Sequence, residues 1–226
     1  MFDGISGIGV SNFGHGHPAI TNSIHAQLDL NLHTMVYGEF VQDVQRQAAA
    51  SLRASLPAHL DSVYFVNSGA EAVDAALKLA KRLTGRTKIM GVEGGYHGNT
   101  HGALSVSSNE TRKAPFRPLL PEVSFLNWND MADLAHIDAN TAAVIVETVQ
   151  GDAGIRIPDK LGSKPWPTPA ENTEPCSSWT RSSAAWDARE RPGHSASLRW
   201  FLTSCAWAKR WAVACRWARL PRARTG

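Results

Sequence analysis

The chain has 226 residues, enough for one ordinary domain and part of a second. With 43% apolar and 19% charged residues it is neither a disordered chain nor a coiled coil. No run of roughly 18 uncharged apolar residues occurs, which excludes a membrane-spanning helix. Met1-Phe2-Asp3-Gly4 shows neither the basic stretch nor the apolar stretch of a secretory leader. Composition divides near residue 160. Residues 1–160 hold 12 Lys and Arg against 16 Asp and Glu, whereas residues 161–226 hold 11 against 4. Seven of the eight Trp and all three Cys lie in that tail, so the overall pI near 8.9 describes neither part. An argument towards nucleic acid would rest on the tail alone. Cys176, Cys205 and Cys215 have no CxxC spacing, and a zinc site has no support. The cysteine-free first part suits a reducing compartment, and the expectation is a soluble cytoplasmic protein with no membrane or nucleic-acid partner.

In chain order, Pro18–Leu30 and Val41–Leu56 read as helices. Ser62–Val66 is a β-branched and aromatic run, a strand signal. Glu71–Arg82 has helical spacing, with Val73, Leu77 and Ala80 at i, i+4 and i+7 and basic residues gathered at its end. Thr87–Val92 is a second strand, running into Glu93-Gly94-Gly95. Ala142–Val146 is a third, apolar throughout, as befits a strand covered on both faces. Strands alternating with helices predict an α/β fold with a mostly parallel, doubly wound sheet and flanking helices. Ligands in such sheets bind beyond the carboxyl ends of the strands. Three polar clusters fall there: 67–70, 94–98 and 147–151.

Ser68-Gly69-Ala70 stands where a strand turns into a helix. Free N–H groups and the positive dipole end favour an anion, and small residues let a phosphate approach. An ordinary turn with Ser68 as N-cap accounts for the same residues equally well. Gly94-Gly95-Tyr96-His97-Gly98 sets an aromatic ring and an imidazole among glycines. Tyr96 suits stacking on a flat ring with His97 beside it, or else a capping role over the core. His15, His17 and His101 lie near other glycines, but no pair has the helical spacing of metal ligands, so no metal is expected. Glu147 directly follows the apolar strand, where a carboxylate is costly unless paired or used. The plainer alternative is a solvated loop acid.

Taken together, these strings resemble the class III aminotransferases, pyridoxal-phosphate (PLP) enzymes of the aspartate-aminotransferase fold. The resemblance is carried by YFVNSGAEAVDAALKLAKR (Tyr64–Arg82), GGYHGNTHGALSVS (Gly94–Ser107) and VIVETVQGDAGI (Val144–Ile155), with support from GHGHPAI (Gly14–Ile20) and VYGE (Val36–Glu39). The likeness leans towards the acetylornithine and ornithine branch. It implies that 1–160 is part of a PLP-enzyme large domain with a remnant of the N-terminal segment. It implies too that Ser68, Gly69 and Ala70 cradle the cofactor phosphate, that Tyr96 stacks on the pyridine ring beside His97, and that Glu147 lies near ring and substrate. Tyr37 would line the substrate pocket, partly at a homodimer interface. The substrates would be an amino acid and a 2-oxo acid. Two departures stand out: Thr148 where the family often has Pro, and Asp152 where it has Glu, a residue concerned with substrate gating.

Half of the chemistry is missing. Transamination needs a Lys to form the Schiff base and shuttle the proton, and a carboxylate to hold the pyridine nitrogen protonated. The family supplies these from DEVQ and GKALGGG strings, and neither occurs here. The genetic code explains the tail. Trp has the single codon TGG, so joining the third base of each codon to the next two forces Asp at Trp179/Thr180 and Gly at Trp186/Asp187. It also forces Gly where Trp207, Trp211 and Trp217 precede Ala. In this register Ser177–Arg191 permits IVDEVQCGMGRTGK, and Phe201–Arg219 permits PDILCLGKALGGGMPLGA. The expectation is a frameshift between about Asp159 and Ser177, with a tail (161–226) that was not selected to fold and leaves an unpaired sheet edge beside Ala142–Val146. Lys209 overlaps the codon of the missing Lys without its glycine-rich surroundings, so no catalytic residue is assigned. The competing reading is a non-catalytic remnant or binding module. Its tail would carry a basic amphipathic helix at Leu198–Leu220, with Trp200, Trp207 and Trp211 on one face for a membrane or nucleic acid.

Overall fold

A computed structural model of the chain describes residues 13–34, 39–54, 62–147 and 149–157, the isolated positions 4, 7, 11 and 56, and the backbone of 176–180, 199–202 and 213–215. The chain forms two compact units, Met1–Leu60 and Asp61–Gly226. The compositional division near residue 160 does not coincide with this boundary, because strands from both sides of it share one sheet.

In the first unit α1 (Pro18–Leu30) begins with proline at its first position, where the missing N–H costs nothing, and the His17 side chain accepts from the Ala19 N–H. The second helix, α2, is Asp43–Ala54, shorter at both ends than its apolar pattern implies. Neither helix buries a residue.

The second unit is built on a seven-stranded sheet. Its strands are β1 (Ser62–Tyr64), β2 (Lys88–Val92), β3 (Val123–Leu126), β4 (Thr141–Glu147), β5 (Cys176–Thr180), β6 (Arg199–Leu202) and β7 (Val213–Cys215), in the spatial order β1-β7-β6-β5-β4-β2-β3. β7 runs antiparallel to both its neighbours, and the pairings from β6 to β3 are parallel. The mostly parallel α/β sheet expected from the sequence is therefore present. Every residue of β4 is buried, which is what its uninterrupted apolar run requires.

Alternation in β2 and β4 sorts the core onto two faces. On one, Ile89, Ala143 and Ile145 pack with Ala72, Val73, Leu77 and Ala80 of α3 (Gly69–Thr84) and with Ala103 and Val106 of α4 (His101–Val106). On the other, Met90, Val92, Leu126, Val144 and Val146 pack with Trp128, Leu134 and Ile137. A Cβ on Gly91 would meet the Phe125 ring at 2.8 Å and the Val106 carbonyl oxygen at 2.9 Å, so β2 admits only glycine there.

Helix α3 is delimited by its own sequence. Ser68 is the N-cap, its Oγ accepting from the Glu71 N–H at 3.1 Å, and the Glu71 carboxylate accepts from the Asn67 N–H at 2.6 Å. Gly85, at φ 68°, closes the other end in the left-handed conformation, with Lys81 and Arg82 in the last turn against the negative dipole end.

One expectation for the tail is corrected, and with it part of the competing reading. The edge beside β4 is paired: Ala143–Glu147 lie opposite Cys176–Thr180 in parallel register. Main-chain pairing uses N–H and C=O groups that every residue but proline carries, so an open strand position beside β4 can be filled without a family-like sequence. The amphipathic helix at Leu198–Leu220 is not formed in the described part, since Arg199–Leu202 and Val213–Cys215 are strands. The remainder of 158–226 lies outside the described residues.

Candidate functional site

The site collects at the carboxyl ends of β1, β2 and β4, where the segments after each strand meet. The first is the start of α3. Its opening amides have no preceding helical carbonyl to bond. The Glu71 amide is taken by the Ser68 hydroxyl oxygen, so the N–H groups of Gly69 and Ala70 are the opening amides that no helical carbonyl takes, and the Ser68 hydroxyl keeps its proton to donate. The second is the glycine turn after β2. Gly98, at φ 132°, sits so close to α3 that a Cβ on it would lie 2.6 Å from the Ala70 Cβ and 3.0 Å from its Cα. No other residue permits that approach, and it brings the turn directly against Ala70 in the first turn of α3.

The third segment is the end of β4. Glu147 is 2% exposed and its Oε2 accepts from the Tyr96 N–H at 3.1 Å. A buried carboxylate must be compensated, and here the compensation ties β4 to the residue that carries the aromatic ring. The solvated-acid alternative for Glu147 is thereby removed. His97 is buried as well, with its N–H donating to Ser107 Oγ at 2.9 Å. Burial pushes its imidazole down from 6.5 to about 4, so the ring is neutral at physiological pH.

The turn is braced by residues that the sequence did not single out as site residues. The Gly94 N–H donates to Ser108 Oγ at 2.7 Å. Gln150, fully buried, donates from Nε2 to the Glu93 carbonyl at 2.7 Å, while its backbone pairs with Arg156 in both directions. Arg112, on the short helix α5 (Glu110–Lys113), stands 5.2 Å from the Tyr96 ring centroid and forms an ion pair with Asp152 at 3.0 Å. Gln150 had a visible signal in its place in the polar stretch after β4, and Asp152 in its departure from the family's Glu. The others depend on contacts between distant parts of the chain.

Of the residues chosen from sequence, Ser68, Gly69, Ala70, Tyr96, His97 and Glu147 therefore share one end of the sheet. Tyr37 lies outside the described residues. Among the described residues no group of three His, Cys, Asp or Glu side chains is placed to hold a metal. No described helix is long and apolar enough to cross a membrane. The donor set fits a phosphorylated aromatic cofactor: outward amides and a hydroxyl for the anion, an aromatic ring on a braced turn, and a buried carboxylate beside it.

Comparison with known proteins agrees with this reading. The sequence pattern of the aminotransferase class-III family matches residues 1–161. The acetylornithine aminotransferase of Methanopyrus kandleri is 42% identical over 157 residues, 69% of this chain and 40% of that protein. The [LysW]-aminoadipate semialdehyde/glutamate semialdehyde transaminase of Sulfolobus acidocaldarius is 40% identical over 151 residues, 66% of this chain and 38% of that protein. Among solved structures, an amine transaminase from an uncultivated Pseudomonas species in its PLP-bound form superposes with a TM-score of 0.63 at 28% identity, covering 70% of this chain and 42% of the other. The ornithine aminotransferase of Toxoplasma gondii gives 0.64 at 27%, covering 70% and 39%. The chain thus spans about two fifths of the length of the curated relatives it matches.

Proposed function

This chain belongs to the aminotransferase class-III family, and on that premise we propose that it derives from a PLP-dependent enzyme moving an amino group between an amino acid of the ornithine and acetylornithine class and a 2-oxo acid. The observation that carries the proposal is the meeting of three segments at one end of the sheet: Gly98 against Ala70, and Glu147 on the Tyr96 amide. Pyridoxal phosphate is the cofactor of the family, and when bound it supplies an electron sink for amino-group chemistry. The amides of Gly69 and Ala70 with the Ser68 hydroxyl hold its phosphate. Tyr96 covers the ring, and neutral His97 packs beside it. Glu147, held by the Tyr96 amide, faces ring and substrate. Tyr37 lines the substrate pocket of a homodimer. The exposed apolar stripe of Ile20, Ile24 and Leu28 on α1 supports a surface for the second copy. The cysteine-free residues 1–160 support a reducing, cytoplasmic setting.

The reading frame slips between about Asp159 and Ser177, and the chain as written is inactive because the two motifs beyond that point are absent. The register of β5 supports this. Trp179 lies opposite Val146 and Thr180 opposite Glu147, so the Trp179/Thr180 codon boundary, which reads Asp in the shifted frame, falls at the carboxyl end of the strand next to Glu147. That end of the sheet is where a cofactor-facing carboxylate is needed. Sequencing the DNA of the locus tests it. Restoring one or two bases near codon 160 opens a frame containing DEVQ and GKALGGG; if no such frame opens, the frameshift is wrong.

A further inference from the structure

The hairpin after β4 grips the glycine turn on two sides. On the inner side, Gln150 holds the Glu93 carbonyl, and a Cβ on Gly94 would meet Gln150 Oε1 at 2.7 Å and the Ala153 Cβ at 3.1 Å. The outer side runs through one side chain. Arg112 places its guanidinium carbon 5.2 Å from the Tyr96 ring centroid, within the range of cation–π attraction, and one of its nitrogens lies 3.0 Å from Asp152 Oδ2. Glu110, on the same short helix, is held by Arg117 at 2.7 Å and does not compete for Arg112.

Both partners of the Arg112–Asp152 pair are about half exposed, so the pair contributes little to stability by itself. Its consequence is orientation. The Tyr96 backbone is fixed by its bond to Glu147, which leaves the ring to turn about its side-chain torsions. A planar guanidinium against the ring restrains that turning, and Asp152 in turn fixes the guanidinium. We propose that Arg112 is a positioning residue which ties the Asp152 loop to the Tyr96 ring, so that the seating of this loop and the orientation of the ring are one event. The consequence for cofactor binding rests on the function proposed above; the coupling itself rests on the geometry.

Three tyrosines make the coupling measurable in the full chain. With fluorotyrosine incorporated, the Tyr96 line in a ¹⁹F NMR spectrum is assigned by its loss in Tyr96→Phe. Asp152→Asn removes no atom from the ring's surroundings, yet it shifts the Tyr96 line and leaves those of Tyr37 and Tyr64 in place. Arg112→Leu shifts the same line, and adding Asp152→Asn to it produces no further change. Arg112→Lys keeps the charge but not the planar face and restores the line only in part. Thermal midpoints stay unchanged throughout, which a merely structural role would not predict. A Tyr96 line that ignores Asp152→Asn, or that responds to it equally in the Arg112→Leu background, overturns the proposal. In parallel, equilibrium dialysis with PLP gives about 2- to 5-fold weaker binding to Arg112→Leu, the scale of one exposed cation–π contact. Absence of PLP binding to every variant counts against the proposed function alone, since the ¹⁹F lines decide the coupling without the cofactor.

Discussion

Gly98 and His97 stand next to each other in the turn after β2 and answer to different forces. Gly98 holds a φ of 132° with the Ala70 Cβ so near that any side chain collides. Gly98→Ala therefore lowers stability by about 2 kcal/mol through strain and overlap, and it pushes the turn away from the first turn of α3. Urea unfolding measures the first effect and PLP affinity the second. His97 acts through its proton. Its folded pKa of about 4 lies below the unfolded 6.5, so the unfolded chain binds the proton more readily. Stability contributed by the neutral ring is complete above pH 6.5 and falls away as pH drops towards 4, by about 3 kcal/mol in all. Unfolding curves across that range should show the decline in the wild-type chain and a flatter profile in His97→Gln. An equal decline in both proteins removes His97 as the cause.

At the scale of elements, β4 and α3 carry most of the second unit. Ile145 is fully buried between the sheet and α3, so Ile145→Ala costs about 2–5 kcal/mol and is expected to leave little folded protein by circular dichroism. Ser68→Ala removes an N-cap worth about 1 kcal/mol and, on the proposed function, a donor for the cofactor phosphate as well. Its loss in PLP affinity should therefore exceed what its small drop in thermal midpoint explains. These two elements were legible in the sequence because each carries a pattern matched to its surroundings. β4 has an unbroken apolar run, and α3 has an apolar stripe between a Ser N-cap and a Gly terminator. β3 gave no such signal: Val123–Leu126 is four residues at the sheet edge, with only Leu126 buried. Helix α4 was missed for the opposite reason. Ala103, Leu104, Ser105 and Val106 are buried all round, so no polar face marks its period.

For the whole molecule, the location of the site was readable and its bracing was not. A parallel sheet delivers the segment after each strand to one end, which is why Ser68, Tyr96 and Glu147 could be grouped from sequence alone. Gln150 reaches Glu93 across 57 residues, and Arg112 reaches both Tyr96 and Asp152; no local pattern encodes such contacts. The tail shows a further separation. On the proposed frameshift its codons would carry the trace of a catalytic sequence, while the described backbone of β5, β6 and β7 takes strand positions in the same sheet as β4. Backbone pairing tolerates a changed sequence, whereas chemistry at a named atom does not.

The central claim is an interrupted PLP enzyme whose cofactor cradle is present and whose cofactor-binding lysine is not. Its most direct test is borohydride trapping of PLP on two proteins, the chain as written and the product of the frame-restored gene, followed by peptide mass spectrometry. The account predicts a reduced cofactor label on the lysine of GKALGGG in the restored protein and no label at Lys209 of the chain as written. A label on Lys209, or a restored protein that takes none, would contradict it.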